Sequence, residues 1–387
     1  MLDRSKLTAQ LTGLAEKLFP DLKDTSDLSQ KIWKQICNDK NFLQKVEQSK
    51  SIFLVPTWQG NLGEIFNINS CIKEYSVLSV DGSQVYPDRN FSGANCFLIN
   101  LGTCFLEYSN KSSVKFFTEP KIFLPQDFFN IHDKIQFSRE LVDLLREGLE
   151  LKNMLDLAVN FKLKKDFKDM LCFIDGSLIF WFLESKQKEV KDLFLNKYLY
   201  YLEQCYKNNI LNAGFISFPK SRELINLIKL GLCDFKNSDC IQCKKTQNTF
   251  ACNQVDELID TSILRTFLKK FCRTTIFYSR SKIVDDYDQH LKPCFFYLNI
   301  GPEIVRIEIP FWIAQNSDKI DLICKIAIDQ CTKGGGYPVV LAEAHEQAVV
   351  KGPDRDFFYH MIQKIGIEKH KRFYFSQKSL KKRGMGI

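Results

Sequence analysis

The spacing of apolar and polar positions changes period several times along the chain. Residues 1 to 50 repeat at helical intervals with polar breaks. From residue 75 the pattern turns to β: EYSVLSVDGS, ANCFLINLGTCFLEYS and SVKFFTEPKIFL are rich in Val, Ile and Phe, are broken by Gly, Asn and Ser, and predict three strands. The segment IHDKIQFSRELVDLLREGLELKNMLDLAVNF, from about 131 to 162, has Leu and Ile at three- and four-residue steps and predicts a long helix. MLCFIDGS then predicts a fourth strand. Farther on, the pattern predicts a helix from about 179 to 207, a strand at LNAGFISFP, a helix from 220 to 231, a Cys-bearing excursion and a helix near 254 to 271. Strands in RTTIFYSR, KPCFFYLNIG and EIVRIEIPFW follow, then helices over 317 to 332 and 338 to 366. With no internal repeat and no low-complexity linker, one elaborated α/β domain is the simplest account.

Two of the predicted strands end alike, in Asp81-Gly82-Ser83 and in Asp175-Gly176-Ser177. Asp and Gly favour turns, so each site alone reads as a turn. Two bare carboxylates beside a core are harder to explain that way, because a buried charge is costly unless it is paired or holds a metal. Strands separated by a hairpin and a helix are commonly neighbours, which would set Asp81 beside Asp175. Two such charges repel unless a cation neutralises them, and hard cations such as Mg²⁺ and Mn²⁺ prefer oxygen ligands. A third carboxylate is expected from the intervening helix, with Glu140, Glu147 and Glu150 as candidates and Glu150 preferred, although Glu residues on helices are usually solvated.

Near the C-terminus, GGGYPVVLAEAHEQAVV places Tyr337 just before a helix and His345 within it. A His on an Ala-rich helix is ordinarily a packed or exposed residue. Beside a carboxylate-bound metal it is a ligand or a proton carrier, and Tyr337 is placed to position a phosphate or a water. Arg306 and Glu308, on the strand EIVRIEIP, read first as a structural ion pair; the functional alternative has Arg306 holding a phosphate and Glu308 supporting the site.

The composition adds little until charge is located. The chain has 387 residues, 45% hydrophobic and 26% charged, which describes a globular protein. Its net charge is +8, yet the segment 369 to 387 carries seven Lys/Arg and no acid, so the rest nets +1. Such a tail, interleaved with Phe373, Tyr374 and Phe375, suits a polyanion, and a solvated basic terminus is the plainer account. No apolar run reaches the ~20 residues a membrane span needs, and MLDRSKLTAQLTGLAEKLFP resembles an amphipathic helix rather than a signal peptide, so a cytoplasmic protein is expected. The fourteen cysteines are scattered and mostly apolar in setting, unlike a disulfide framework. One group differs: Cys233, Cys240, Cys243 and Cys252, spaced C-x6-C-x2-C-x8-C in a polar stretch, reads either as a four-thiolate zinc or iron–sulfur site or as incidental thiols.

An ordered set of segments resembles the NurA nuclease family, partner of HerA-type DNA translocases: VDGS at 80 to 83, FIDGSLIFW at 173 to 181, AGFISFPKS at 213 to 221, RTTIFYS at 273 to 279, FFYLNIGPEIVRIEIPFW at 295 to 312 and GYPVVLAEAHEQAVV at 336 to 350. The resemblance implies a ribonuclease H-like mixed sheet flanked by helices, with insertions. It implies manganese-dependent DNA cleavage, magnesium being the other candidate ion, with 5′–3′ exonuclease and single-strand endonuclease action in end resection and repair. It also implies a homodimer docked on a hexameric HerA-type ATPase. Asp81 and Asp175 match the family's metal-binding aspartates, and Tyr337 and His345 its C-terminal pair; the helix Glu, taken as Glu150, matches less cleanly. The expected division is a helical extension over 1–74, a nuclease domain over 75–366 with a Cys-bearing insertion at 232–253, and a basic tail over 367–387. Competing readings are an inactive ribonuclease H-like module that binds DNA or a motor ring, and an RNA-directed nuclease of the same fold class.

Overall fold

A computed structural model describes residues 2–87, 91–92, 96–126, 138–164, 169–233, 238–246, 250–370 and 374–375. The chain forms two compact units. One comprises the segment up to Phe66 together with Pro219–Lys269 and Thr274–Arg280; the other comprises Asn67–Phe218, Lys270–Arg273 and the remainder from Ser281.

The larger unit is built on a mixed sheet. Its strands are β1 (Tyr75–Val85), β2 (Phe97–Tyr108), β3 (Ser113–Phe123), β4 (Met170–Asp175), β5 (Leu211–Ile216), β6 (Pro293–Asn299) and β7 (Ile304–Pro310), and they lie side by side in the order β6-β7-β5-β4-β1-β2-β3. The first three form an antiparallel meander, β4 joins β1 in parallel through Val77 opposite Leu171, and β5 joins β4 in parallel through Phe173 opposite Ala213. Both hairpins and the helical crossover are thus of the kinds that antiparallel and parallel neighbours require.

Helix α1 (Arg139–Lys164) connects β3 to β4. Its Leu141, Leu144, Leu151, Leu155, Ala158 and Phe161 recur at helical steps, and all are buried in one cluster with Leu78, Val80, Phe97, Ile99, Leu101 and Phe105 of the sheet. Helix α2 (Lys188–Lys207) joins this core through Phe194, Tyr198 and Leu202. Helix α3 (Ser317–Lys333), with Ile320, Cys324, Ala327 and Cys331 buried along one side, leads into α4 (Val339–Ala348) and α5 (Gly352–Glu368). Residues 374–375 form a two-stranded ribbon with 91–92; apart from them, Lys369 and His370, the basic tail lies outside the described residues.

Several elements depart from the sequence pattern, each for a local reason. β1 does not end at Asp81 but runs on to Val85, because Gly82 and Ser83 pair with Leu101 and Asn100 across the meander, and the neighbouring strand supplies bonds that a turn would forgo. Of the long helix expected from 131, residues 131–137 lie outside the described part. The helix expected from 179 starts at Lys188, after a short 3-10 turn at Trp181–Leu183. The pattern over 338 to 366 is two helices, not one, since the Ala348 carbonyl at the break is taken by Ser83 and Asn100 side chains and Pro353 opens the second helix.

In the smaller unit, helices Lys23–Asn38 and Glu223–Gly231 pack through Ile32 and Ile36 against Gly231, and Thr57–Trp58 pairs with Phe277–Tyr278. The helix expected near 254 to 271 is replaced by a 3-10 turn at Ala251–Val255 and a short helix at Asp260–Leu264. Buried Asp260 accepts from the Leu224 and Ile225 amides, both at 2.9 Å, and so caps the helix Glu223–Gly231, whose own N-cap Arg222 makes no side-chain cap. That capping requirement outweighs the local helical pattern.

Candidate active site

Side chains alternate across β1, so Leu78, Val80 and Gly82 face α1 while Asp81 and Ser83 face α4. At Gly82 a side chain is excluded: a Cβ there would lie 2.6 Å from Glu150 Oε1 and 2.8 Å from Arg146 Cγ. The missing side chain lets α1 bring Arg146 and Glu150, four residues apart on one helical face, against the strand backbone. Gly102, the cross-strand partner of Asp81, is excluded from a Cβ in the same way, by Ala348 N at 2.1 Å and Ala344 O at 2.5 Å. Helix α4 therefore rests directly on the sheet. Its end is fastened by Asn100 Nδ2 donating to the Ala348 carbonyl at 2.8 Å, by Ser83 Oγ donating to the same oxygen, and by Val350 N donating back to Ser83 Oγ at 3.1 Å.

This docking puts His345 over Asp81, Nδ1 to Oδ2 at 2.7 Å. The other Asp81 oxygen accepts from the Gly82 amide at 2.8 Å and lies 4.0 Å from Arg146 Nη1. Arg146 Nη1 bonds Glu150 Oε1 and donates to the Gly82 carbonyl at 3.2 Å. The third carboxylate, Asp175, ends β4 and accepts a hydrogen bond from the Tyr337 hydroxyl, whose ring stands edge-on to Phe215 at 5.7 Å. A small cavity of about 30 Å³ is lined by Asp81, Glu147, Glu150 and Asp175 together with Ser177 and apolar Val80, Leu151, Met154 and Phe180. That is room for one ion or water, not for a substrate.

Burial has electrostatic consequences. It pushes the Glu150 carboxyl up to about 8 and Glu147 to about 7, with Arg146 pulling both the other way. Asp175 is also raised by burial, opposed first by the Tyr337 hydrogen bond. Carboxyls in such surroundings keep their charge only if a cation stays close.

The loop that follows Asp175 is held from below. Gly176 has φ +122° and its amide bonds the Phe215 carbonyl at 3.0 Å. Buried Glu308 accepts from Ser177 Oγ at 2.7 Å and from the Leu178 amide at 2.8 Å, while its other oxygen takes Arg306 Nε at 2.8 Å. Arg306 is 2% exposed and Glu308 1%, so Arg306 does not reach a phosphate; the two form the structural pair, and Glu308 also sets the loop.

The structure thus brings together Asp81, Glu150, Asp175, Tyr337 and His345, with Glu147 at the cavity wall. Glu140 is elsewhere, exposed and paired with Lys186 at 2.7 Å. The residue that the pattern did not single out is Arg146; its signal was the i to i+4 spacing from Glu150. Among the described residues no group of three or more His, Cys, Asp or Glu stands arranged to hold a metal ion. At this site the carboxylates are turned onto Arg146, His345 and Tyr337. Cys233, Cys240, Cys243 and Cys252 are half-buried and in no disulfide, in the smaller unit, with Cys240 and Cys243 on the short helix Cys240–Thr246. They lie near enough to one another that, after burial, their mutual repulsion raises Cys243 and Cys252, but they form no metal-holding group.

A family model described as the NurA domain matches residues 75–350. Among solved structures the chain is similar to the NurA nuclease from Sulfolobus solfataricus, at 15% identity over 95% of this chain and 98% of that one, with a TM-score of 0.50. It is also similar to a structure titled NurA with manganese, at 12% identity over 92% and 98% of the two chains (TM-score 0.38), and to one titled NurA bound to dAMP and manganese, at 11% over 91% and 94% (TM-score 0.33). Likeness at this identity speaks to the fold. No curated protein matches the chain, and among the described residues no helix is long and apolar enough to cross a membrane.

Proposed function

This chain belongs to the NurA family, and from that premise we propose that it is a metal-dependent deoxyribonuclease whose ligands are Asp81, Glu150 and Asp175, completed by His345 and Tyr337. The observation that carries the reading is the convergence of carboxylates from β1, α1 and β4 on one ion-sized cavity. A divalent cation fits this donor set: it is all oxygen, and a guanidinium already stands among the carboxylates as a positive charge. Manganese and magnesium both suit such a site. When bound, such an ion makes a water nucleophilic near neutral pH and neutralises charge on the leaving oxygen.

The chain's own groups have defined tasks in this reading. Asp81 fixes His345 through Nδ1, leaving Nε2 to accept or return a proton at the scissile phosphate. Tyr337 donates to Asp175 and so favours its ionised, ligating form. Ser177 and Glu308 keep the Asp175 loop in place. The strand order, a meander followed by two parallel additions beside β1, supports a ribonuclease H-like core. Membership of the family supports the finer expectations: 5′–3′ exonuclease and single-strand endonuclease action in DNA end repair, a homodimer, and a HerA-type hexameric ATPase as partner. An inactive module would have no need of three carboxylates lining one cavity.

The test is cleavage of end-labelled single- and double-stranded DNA with Mn²⁺, with Mg²⁺ and with EDTA. We expect cleavage with Mn²⁺ and none in EDTA. Cleavage that persists in EDTA, or none with any divalent ion, overturns the assignment.

A further inference from the structure

We propose that Arg146 is the resident cation of this site, seated on Glu150 until a divalent ion takes its place, so that metal binding and the Arg146–Glu150 ion pair exclude one another. The inference deepens the nuclease reading above and rests on it. Three observations support it. First, the Glu150 carboxylate is committed to Arg146 Nη1 through Oε1, whereas Asp81 and Asp175 are held by His345 and Tyr337, the two groups already assigned to the site. Glu150 is thus the ligand whose role is blocked by an outside group. Mg²⁺ binds carboxylate oxygen at about 2.0–2.1 Å, and a guanidinium on the same carboxylate sets two positive centres against each other.

Second, the seat is incomplete. Arg146 Nε is buried and has no hydrogen-bond partner, so the guanidinium leaves one of its five donors unsatisfied where it sits. An unpaired buried donor is costly, which keeps the guanidinium displaceable from this seat.

Third, movement of the head requires nothing of the helix. The Arg146 stem lies on the bare backbone of Gly82, where a Cβ would come within 2.8 Å of Cγ and 3.2 Å of Cδ. The methylenes are a fixed pivot. The side chains of Arg146 and Glu150 are 26% and 18% exposed, so the guanidinium has water beside it to turn into.

The consequence is a site in which one carboxylate already has a cationic partner before metal arrives, with Arg146 competing for it. The test uses the full chain without DNA. Mn²⁺ affinity is measured by calorimetry for the wild type, Arg146→Gln, Arg146→Lys and Asp175→Asn, with circular dichroism to confirm folding. We expect Arg146→Gln to bind Mn²⁺ about tenfold tighter or more and Arg146→Lys to stay near the wild type, as the loss of a charge at this distance implies. Should Arg146→Gln not fold, arginine side-chain NMR of the wild type decides: the Arg146 Nε–H signal shifts on Mg²⁺ addition and stays put in Asp175→Asn. Unchanged or weaker Mn²⁺ binding by folded Arg146→Gln, or an Nε–H signal indifferent to Mg²⁺, overturns the role of Arg146 alone. A wild type that binds no Mn²⁺, or an Asp175→Asn that binds it equally well, overturns the metal reading beneath it.

Discussion

The chain uses Asp-Gly-Ser twice at one site and folds it in two different ways. At 81–83 the tripeptide continues an extended strand; at 175–177 it ends one, with Gly176 at φ +122°. In the first copy Gly82 is there for what presses on it, Arg146 and Glu150. In the second, Gly176 has nothing within 4 Å of its missing Cβ and is there for its backbone angle. The serines divide likewise: Ser83 fastens α4, which carries His345, and Ser177 fastens the loop to Glu308. In the proposed site only the aspartates share a task. A repeated motif can therefore be one chemical requirement met by two unrelated packing solutions.

The comparison breaks first at the aspartates if they are not equivalent. Asp81→Asn and Asp175→Asn should each cut Mn²⁺-supported DNA cleavage about a thousandfold, roughly 4 kcal/mol of barrier, while circular dichroism is unchanged. Cleavage near the wild-type rate in either would remove that residue from the site.

The glycines should separate by their effect on activity. Gly82→Ala forces Glu150 and Arg146 aside, so it costs about 1–3 kcal/mol of stability by overpacking and cleavage by the folded protein falls about a hundredfold, about 2.7 kcal/mol of barrier. Gly176→Ala places a side chain in a left-handed conformation with open space around it, so it costs about 1–2 kcal/mol of stability and spares much of the activity of the folded enzyme. If the two variants behaved alike, the distinction between a packed and a strained glycine would fail.

The smallest effect is a pH dependence at the cavity wall. Glu147, raised by burial from an ordinary 4.5 to about 7, binds a proton in the folded metal-free chain more tightly than in the unfolded one. Its contribution is therefore full below pH ~4.5 and is lost as pH rises through about 7. Thermal melts in EDTA between pH 5 and 9 should show the midpoint falling by a few degrees, and Glu147→Gln should flatten that fall. A slope identical in the variant would show that the Glu147 proton does not matter to folding.

Much of this site was legible because its carboxylates interrupt apolar runs. The runs YSVLSV and MLCFI read as buried, and Asp81 and Asp175 stand out at their ends against Val, Leu and Phe. Glu150 was harder to separate from Glu140 and Glu147, since helix spacing alone does not say which turn meets the strand; Glu150 lies against the bare backbone at Gly82, and Glu147 lines the same cavity. The continuation of β1 past Asp81 was illegible because the cue for a turn is local while the partner, Leu101 and Asn100, comes later in the chain. Arg146 was overlooked because a basic residue on a long helix is ordinarily solvated. Arg306 and Glu308 were visible as a pair, but the task of Glu308 depends on a loop about 130 residues away.

That distance bears on the order in which the site comes into being. Ser177 meets Glu308 across 131 positions, Asp81 meets His345 across 264, and Ser83 meets the Ala348 carbonyl across 265. A chain emerging from synthesis thus presents Asp81, Glu150 and Asp175 long before the strand and helix that set them have been made. Contacts so remote in sequence close slowly and late, so a nascent or truncated product lacking α4 would carry the acidic residues as loosely held carboxylates and no imidazole. Competence would be acquired only once α4 has been made and docked on the sheet.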